Sequence, residues 1–485
     1  MSVSRSVVIK SLIWKLLERC SVQVVTFIVT IVLARILVPE DYGLIALVLV
    51  FVNISNVIVD GGLNMALVQK KDADNVDFST IFFTSLLFAT FLYILLFVFA
   101  GSIAEFYEKP ELVPVIRVLG ISLFFYAMSS IQKAFLSRHL LFKNLFYSSL
   151  GAVVVSGVVG IWMAKMGYGV WALVVQNLTV QIVTTIIMWF TVKWRPQLVF
   201  SFERFKGLFN FGWKIFASNF LINLFVNIRS LIIGKVYTAS ELGYFDRGKQ
   251  FPALIIENIN ASIQAVIFPV LSGEQDNIQT VKAMVRRSIK ISTFIIFPLV
   301  IGLIVTAEPL IRTLLTDKWT GAVPFIQIFS LAYMLMPMQV ANLQAIQALG
   351  FSGTTLKMEL IKKAIELIIL VITIQISVTA IAWGIVLYNV ICLIINTIPN
   401  KRLLNYGIRE QIKDAVPTLF IAFIMGFAIY WIQLFPISSL LIIVLQFVIG
   451  ALIYGVLSYL YKEESCMYII STIKENKGKL NLKKQ

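Results

Sequence analysis

Fourteen apolar stretches, each about 20 residues long, fill this chain almost end to end, and no polar segment between them is long enough to fold as a domain. About 20 apolar residues is the length a helix needs to cross a hydrocarbon core about 30 Å thick. In lipid every backbone N–H and C=O must be satisfied within its own segment, which a helix does. The pattern therefore predicts an all-α integral membrane protein. Composition agrees: the 485 residues are 59% hydrophobic, against roughly 45–50% in soluble domains. The net charge of +16 is spread over short loops rather than gathered on one domain, so it argues against a nucleic-acid partner. Cys20, Cys392 and Cys466 fit no metal or disulfide spacing, and the single histidine, His139, sits in a basic loop. No metal or cofactor is expected. Arg5 and Lys10 precede the first span and no small-residue cleavage site follows early, which predicts a retained first helix.

The spans are expected near 12–37, 43–68, 79–103, 112–134, 145–165, 168–192, 208–236, 243–271, 288–316, 322–348, 356–378, 380–400, 414–434 and 437–461, those at 43–68 and 243–271 being the least apolar. Turn residues mark the breaks, as at Pro39-Glu40-Asp41-Tyr42-Gly43, Tyr107-Glu108-Lys109-Pro110 and Lys165-Met166-Gly167. With the N-terminus in the cytoplasm, 30 of the 41 basic residues fall on that side. The opposite loops hold six: Arg35, Lys109, Lys165, Lys235, Arg312 and Lys318. This positive-inside bias predicts that both termini are cytoplasmic.

An internal echo recurs about 200 residues apart. Trp14-Lys15 opens the first span and Trp213-Lys214 the seventh; Asp41-Tyr42-Gly43 closes the first connection and Glu241-Leu242-Gly243 its counterpart. Six helices separate the copies, so both keep the same orientation. The expected architecture is two parallel six-helix lobes with a binding site between them: an N-lobe over 1–206, a C-lobe over 207–405, and two further helices with a basic tail over 406–485. Those last two helices carry little charge and read as a lipid-facing appendix.

A charge at the bilayer centre costs about 2.5–3.5 kcal/mol on insertion scales, so intramembrane ionisable groups usually face a cavity or a partner. Four helices carry polar stripes. The first has Lys15, Arg19, Gln23, Thr26 and Thr30 at helical spacing, and the second Asn53, Asn56, Asp60 and Asn64. The seventh has Asn219, Asn223 and Asn227 beside Arg229; the eighth has Asp246, Lys249, Glu257, Asn260 and Gln264, with Arg247 close by. These are the opening helix pairs of the two lobes. Amides offer sugar hydroxyls both donors and acceptors, and Arg and Lys suit phosphate oxygens. The stripes thus predict a hydrated, cationic, amide-rich cavity, with helix–helix hydrogen bonding as the bland alternative. Lys15 and Arg19 lie near the cytoplasmic end, where snorkelling would explain them equally. Arg117, Gln327, Asn342, Gln344 and Gln347 are weaker candidates. Pro298, Pro324 and Pro337 should kink or bound spans nine and ten, and the glycines over 167–169 and 350–353 should form turns. Asp60 and Glu257 are the intramembrane acids best suited to bind a coupling ion. No G-x-x-x-x-G-K-[ST] occurs, which excludes ATP hydrolysis by a P-loop, and no catalytic constellation is visible.

These residues resemble a known family, the polysaccharide exporters of the multidrug/oligosaccharidyl-lipid/polysaccharide flippase superfamily. The resemblance is carried by LARILVPEDYGLIAL from Leu33 to Leu47 with VDGGL from Val59 to Leu63, by GYFDRGK from Gly243 to Lys249, and by LSRHLLFK after Phe135 and QALGF after Ile346. It covers about residues 1–400 and is nearest the colanic-acid and teichuronic-acid exporters. It implies a MATE-like arrangement of two six-helix lobes plus two C-terminal helices. It further implies a non-enzymatic flippase in the bacterial inner membrane that moves an undecaprenyl-pyrophosphate-linked oligosaccharide outward by alternating access, alongside polysaccharide polymerase and export machinery. Arg35, Asp60 and Arg247 carry over by motif position. The expected substrate-binding set is Lys15, Arg19, Arg35, Asn53, Asn56, Asn223, Asn227, Arg229, Arg247, Lys249, Asn260 and Gln264, with Asp60 and Glu257 for ion coupling. The rivals are a multidrug or cation antiporter, which should prefer acids and aromatics in its cavity, and a membrane polysaccharide polymerase or ligase, which should present a large outer loop.

Overall fold

A computed structural model describes residues 5–472. The described residues are helical nearly throughout: α1 (Arg5–Ile36), α2 (Pro39–Asp60), α3 (Leu63–Gln69), α4 (Asn75–Phe106), α5 (Leu112–Gly120), α6 (Ser122–Arg138), α7 (Phe142–Lys165), α8 (Val170–Thr191), α9 (Phe202–Val236), α10 (Ala239–Gly273), α11 (Ile278–Leu314), α12 (Val323–Met334), α13 (Met336–Ala348), α14 (Ser352–Thr373), α15 (Val378–Leu404), α16 (Ile408–Tyr430) and α17 (Ser439–Leu460). A short helix runs over 464–472. Helix occupies each of the fourteen expected regions, some as consecutive pieces. Twelve of the helical segments among the described residues are long and apolar enough to cross a membrane. The span expected at 43–68 is one of them, as α2 and α3 together. The two regions outside the twelve are α10 and α14. Their composition explains it: α10 carries Glu241, Asp246, Arg247, Lys249 and Glu257, and α14 carries Lys357, Glu359, Lys362, Lys363 and Glu366.

Local chemistry sets the breaks. Gly61 and Gly62 end α2 with φ of +55° and +69°, a left-handed region that glycine adopts without a Cβ penalty. Pro324 and Pro337 lie in the first turns of α12 and α13, where proline's missing N–H costs nothing. Pro298 lies inside the continuous α11. Gly167, Gly169 and Gly350 take positive φ in turns, as expected. Asp74 caps α4: its carboxylate accepts the Asp77 N–H at 3.0 Å, and Asp77 accepts the Asp74 N–H at 3.1 Å.

The chain forms two compact units, residues 1–243 and 244–485, dividing just inside α10. In the first, α1 packs on α7, α7 on α8, α4 on α5 and α6, and α9 on α2, α3 and α4. Its core gathers Leu63, Leu67, Phe78, Phe82, Ile131, Met188 and Trp194. Within this unit the two echoed glycines are sites of backbone contact. A Cβ on Gly43 would lie 1.8 Å from the Ala239 carbonyl oxygen, and one on Gly243 would lie 2.1 Å from that of Pro39. The repeat seen in the sequence therefore coincides with a crossing that no side chain would allow.

In the second unit α11 is the hub, packed by α12, α13, α16 and α17, and α15 packs on α12, α13 and α14. The expectation that the last two spans form a lipid-facing appendix needs correction. Ile421, Ala422, Met425, Ile429, Ile442 and Tyr454 of α16 and α17 belong to the core of this unit. Only their other face, with Phe420, Phe427, Phe447 and Leu452, is exposed, as lipid contact requires.

Candidate functional site

The polar side chains within the apolar helices fall into three kinds of arrangement, told apart by net charge and by partners.

The first is a charged cluster in the first unit, at the start of α1, the end of α6 and the start of α7. Lys15 pairs with Glu18 at 2.6 Å. Glu18 also accepts the Ser149 hydroxyl of α7 at 3.2 Å. Lys133 of α6 lies within electrostatic reach of both Glu18 and Lys15. Aromatic rings add to the cation environment: Lys15 stands 5.9 Å from the Phe142 ring centroid, and Lys143 5.9 Å from that of Trp14. Arg19, one turn on from Lys15, is exposed. One carboxylate thus serves Lys15 and Lys133, and a surplus of positive charge remains even before Arg19, one turn on from Lys15, is counted. Glu18 and Lys133 were not among the residues picked from the sequence. Lys133 stands at the end of the span expected over 112–134, and Glu18 lies three residues from Lys15.

The second kind is a stripe bonded into its own helix. Asn223 donates to the Asn219 carbonyl at 2.9 Å and Asn227 to the Asn223 carbonyl at 2.7 Å. Each thereby uses one of its two amide N–H donors within the helix. Asp60 accepts the Gly62 backbone N–H and the Asn64 amide, and sits within electrostatic reach of Tyr126. Asn53 is exposed, while the Oδ1 of Asn56 is buried with no hydrogen-bond partner among the described residues. Arg35 is exposed and Arg229 half-buried.

On α10 in the second unit, Asp246 lies near Lys249 and Arg247, and Arg247 donates to the Gln250 amide oxygen. Asn260 is buried, and neither of its amide atoms has a partner among the described residues. Glu257 and Gln264 are exposed. Their i, i+3, i+7 spacing does put Glu257, Asn260 and Gln264 near one another, but not at equal depth.

The third kind is structural. Asn342, a weak cavity candidate from its sequence, is fully buried among α13, α15 and α16. It exchanges two 2.8 Å bonds with Gln411 and accepts from Asn400 at 2.7 Å. That is glue, as amides in membrane bundles often are. On α14, Lys362 pairs with Glu359 and reaches the Asn396 oxygen at 3.2 Å, and Lys363 pairs with Glu366 at 2.8 Å. Lys362 and Glu366 are 5% and 4% exposed. Both lysines fall inside the span expected over 356–378, and α14 holds them there. Each lysine has its own acid, so this set leaves no charge for an anion.

The loops at the α1-start end of the first unit are braced by cations. Asp77, wholly buried, takes Lys70 at 2.7 Å and Arg204 at 3.4 Å. Arg138 donates to the Leu67 and Lys71 carbonyls at 2.8 and 2.7 Å, closing the C-terminal end of α3. No group of three or more His, Cys, Asp or Glu positioned to hold a metal occurs among the described residues.

The chain is 26% identical over 299 residues to the teichuronic acid biosynthesis protein TuaB of Bacillus subtilis, covering 61% of this chain and 62% of that one. It is 24% identical over 338 residues to the succinoglycan biosynthesis transport protein ExoT of Rhizobium meliloti, covering 68% and 67%. The lipopolysaccharide biosynthesis protein WzxC of Escherichia coli is 22% identical over 311 residues, covering 63% and 62%. The match thus spans about three fifths to two thirds of these curated relatives. Among solved structures, the lipid II flippase MurJ in its inward closed conformation gives a TM-score of 0.74 at 15% identity, covering 93% of this chain and 99% of that one. An inward-facing multidrug resistance transporter of the MATE family, in the MOP superfamily, gives 0.59 at 16% identity, covering 79% and 94%. At such identities the likeness is one of fold alone. The profile of the polysaccharide biosynthesis protein family matches residues 32–324, and this multi-pass membrane protein belongs to that family.

Proposed function

We propose that this protein is a flippase that carries a polyprenyl-pyrophosphate-linked oligosaccharide from the cytoplasmic to the outer leaflet of a bacterial inner membrane, by alternating access and with both termini cytoplasmic. The observation that carries the reading is the surplus positive charge of the Lys15, Glu18, Arg19 and Lys133 cluster in a member of a polysaccharide biosynthesis family. A pyrophosphate carries roughly two negative charges near neutral pH, by analogy with other phosphates. A site that holds and releases it needs cations in excess of acids. In the first unit Arg35 and Arg229 supply further positive charge and Asn53, Asn56, Asn223 and Asn227 serve the sugar hydroxyls; in the second, Arg247 and Lys249 supply charge and Asn260 and Gln264 serve hydroxyls. Asp60 and Glu257 bind the coupling ion, if an ion drives the cycle. The relatives support the substrate class: their names place them in teichuronic acid, succinoglycan and lipopolysaccharide biosynthesis. A drug-cation antiporter would want acids at this position instead.

The test is an assay of lipid-linked oligosaccharide in each leaflet, in a strain lacking the gene and complemented with variants at matched expression. Lys133→Ala, Arg229→Ala and Arg247→Ala should stall the oligosaccharide in the cytoplasmic leaflet. Arg312→Ala should not, because Arg312 is held by Glu308 and Asp317 at 3.0 and 2.5 Å. Equal export by all four would reject the site. An unchanged leaflet distribution in the strain without the gene would reject the function.

A further inference from the structure

A second cationic site lies in the second unit, away from the polar stripes. Lys282, Arg286, Arg287 and Lys290 occupy the first turns of α11 at one- to two-turn spacing and line a cavity of about 680 Å³. The helix over 464–472 supplies another wall, with Glu464, Ser465 and Tyr468. Glu464 is the one carboxylate in the lining. An adjoining cavity of about 420 Å³ shares Lys282, Arg286, Lys290 and Glu464.

The four cations are not equivalent. Arg286 gives its Nε and one terminal nitrogen to Asp414 at 2.8 and 2.6 Å. Lys290 bridges Asp414, at 3.4 Å, and Glu464. Lys282 lies 3.3 Å from Glu410. These pairs fasten α11 to α16 and to the 464–472 helix. Arg287 is different. Its guanidinium carbon lies 3.3 Å from the ring centroid of Tyr468, and it has no ion pair with a carboxylate among the described residues. Ring contact fixes a guanidinium through its face and leaves its N–H edge to bind a ligand. A fork held this way is preorganised for two parallel bonds to a phosphate.

We propose that this cavity binds the phosphate-bearing headgroup of a membrane lipid, with Arg287 as the phosphate fork and Lys282 and Lys290 as supporting charges. The volume is that of a small-molecule site rather than of a lone ion. Met284, Ala283 and Ile291 line it too and suit the apolar part of such a molecule. The positive-inside tendency accounts for cations near this end of the helix. It does not call for a carboxylate-free arginine stacked on a tyrosine across a cavity. The occupant is either an anionic phospholipid or the pyrophosphate lipid; both offer the same chemistry to the fork. The proposal does not depend on the flippase reading.

The test uses the full-length protein in detergent, titrated with short-chain phosphatidylglycerol, short-chain phosphatidylcholine, a short polyprenyl pyrophosphate and inorganic phosphate, with binding read by thermal shift. The wild type should bind phosphatidylglycerol or the polyprenyl pyrophosphate, and phosphatidylcholine at least about tenfold more weakly than the preferred anion. Whichever anionic lipid binds tighter identifies the source. R287Q should weaken that binding about tenfold or more, with R287K intermediate because it keeps charge without the fork. Y468L keeps every charge, tests the stacking independently should R287Q fail to fold, and should also weaken binding. Phosphatidylcholine binding as tightly as the anionic lipids, inorganic phosphate competing as well as either lipid, or R287Q and Y468L binding like the wild type would each overturn the proposal.

Discussion

Replacing Asn342 with leucine tests whether buried amides hold the second unit together. The Asn342 side chain donates to the Met338 carbonyl at 2.8 Å and to the Gln411 oxygen at 2.8 Å, and accepts from Gln411 at 2.8 Å and Asn400 at 2.7 Å. Leucine removes all four bonds while keeping the same number of side-chain heavy atoms, but the damage is uneven. The Gln411 nitrogen keeps the Tyr406 carbonyl at 3.3 Å, and the Asn400 nitrogen keeps the Asn342 main-chain oxygen at 3.0 Å. The Gln411 amide oxygen keeps no partner among the described residues. An orphaned buried acceptor costs about 1–3 kcal/mol. The other three bonds, to the Gln411 nitrogen, the Asn400 nitrogen and the Met338 carbonyl, add about 0.6 kcal/mol each, the average for side-chain hydrogen bonds inside membrane bundles. The expected loss is therefore about 3–5 kcal/mol. The assay is reversible unfolding in mixed micelles by denaturing-detergent titration, followed by tryptophan fluorescence.

The decisive comparison is the double variant. Asn342→Leu with Gln411→Leu has no orphaned glutamine oxygen, so its loss should fall short of the summed single losses by about 1–3 kcal/mol. Additivity within about 0.5 kcal/mol would mean the two amides are not coupled, and the reasoning would fail.

Gly43→Ala should abolish folding, because its Cβ would meet the Ala239 carbonyl oxygen at 1.8 Å; Gly101→Ala, where a Cβ meets nothing within 4 Å, should be neutral or stabilising in the same expression and melting assay. The Asp74 carboxyl is held below the usual range first by the backbone N–H of Asp77, so its stabilising contribution is full above its unfolded-state value and is lost as pH falls through the lower folded one. Asp74→Asn keeps the cap without the titration and should flatten the stability–pH profile below about pH 4, and an unchanged profile would assign that dependence elsewhere. A reporter active only in the cytoplasm, fused after Lys484, should be active; silence at normal expression would break the topology drawn from the basic residues. Two negative charges moving outward through 100 mV gain roughly 4–5 kcal/mol, so collapsing the potential in proteoliposomes at zero pH gradient should slow flipping, whereas rates constant across potentials of either sign would exclude electrophoretic driving.

The membrane spans were legible because the constraint is local: a helix in lipid satisfies its own backbone and needs only a run of apolar residues. The repeat was legible for a related reason. Gly43 and Gly243 stand at matching positions, and each is the residue whose Cβ would strike the other segment's backbone. Partner choice was not legible. Asn342 finds Asn400 and Gln411, 58 and 69 residues away, and nothing about an isolated asparagine distinguishes that from a cavity position. Lys362 and Glu366 lie inside the span expected over 356–378, but their partners were not legible: i, i+3 pairing to Glu359 and Lys363 lets α14 carry them. The two C-terminal helices looked like an appendix because their polar anchors are few; Asp414, Gln411 and Gln446 are nevertheless buried against the unit.

On the proposed reading, net charge, more than the presence of polar residues, separates function from support in this fold. The α14 set is self-neutral, and the Asn342 hub carries no charge at all, so neither has electrostatic reason to attract a phosphate. Removing one member of such a set leaves its partner unsatisfied and lowers stability. The α1, α6 and α7 cluster is unbalanced: Glu18 stands against Lys15, Lys133 and the adjacent Arg19. An unbalanced cluster in a low-dielectric setting stores repulsion that an arriving anion relieves, so its members should behave oppositely. Lys133→Gln should leave the empty protein as stable as before or more so, while export falls. A large loss of stability with export retained at matched protein levels would instead make Lys133 a structural partner of Glu18, and the phosphate would have to be sought at Arg229 and Arg247.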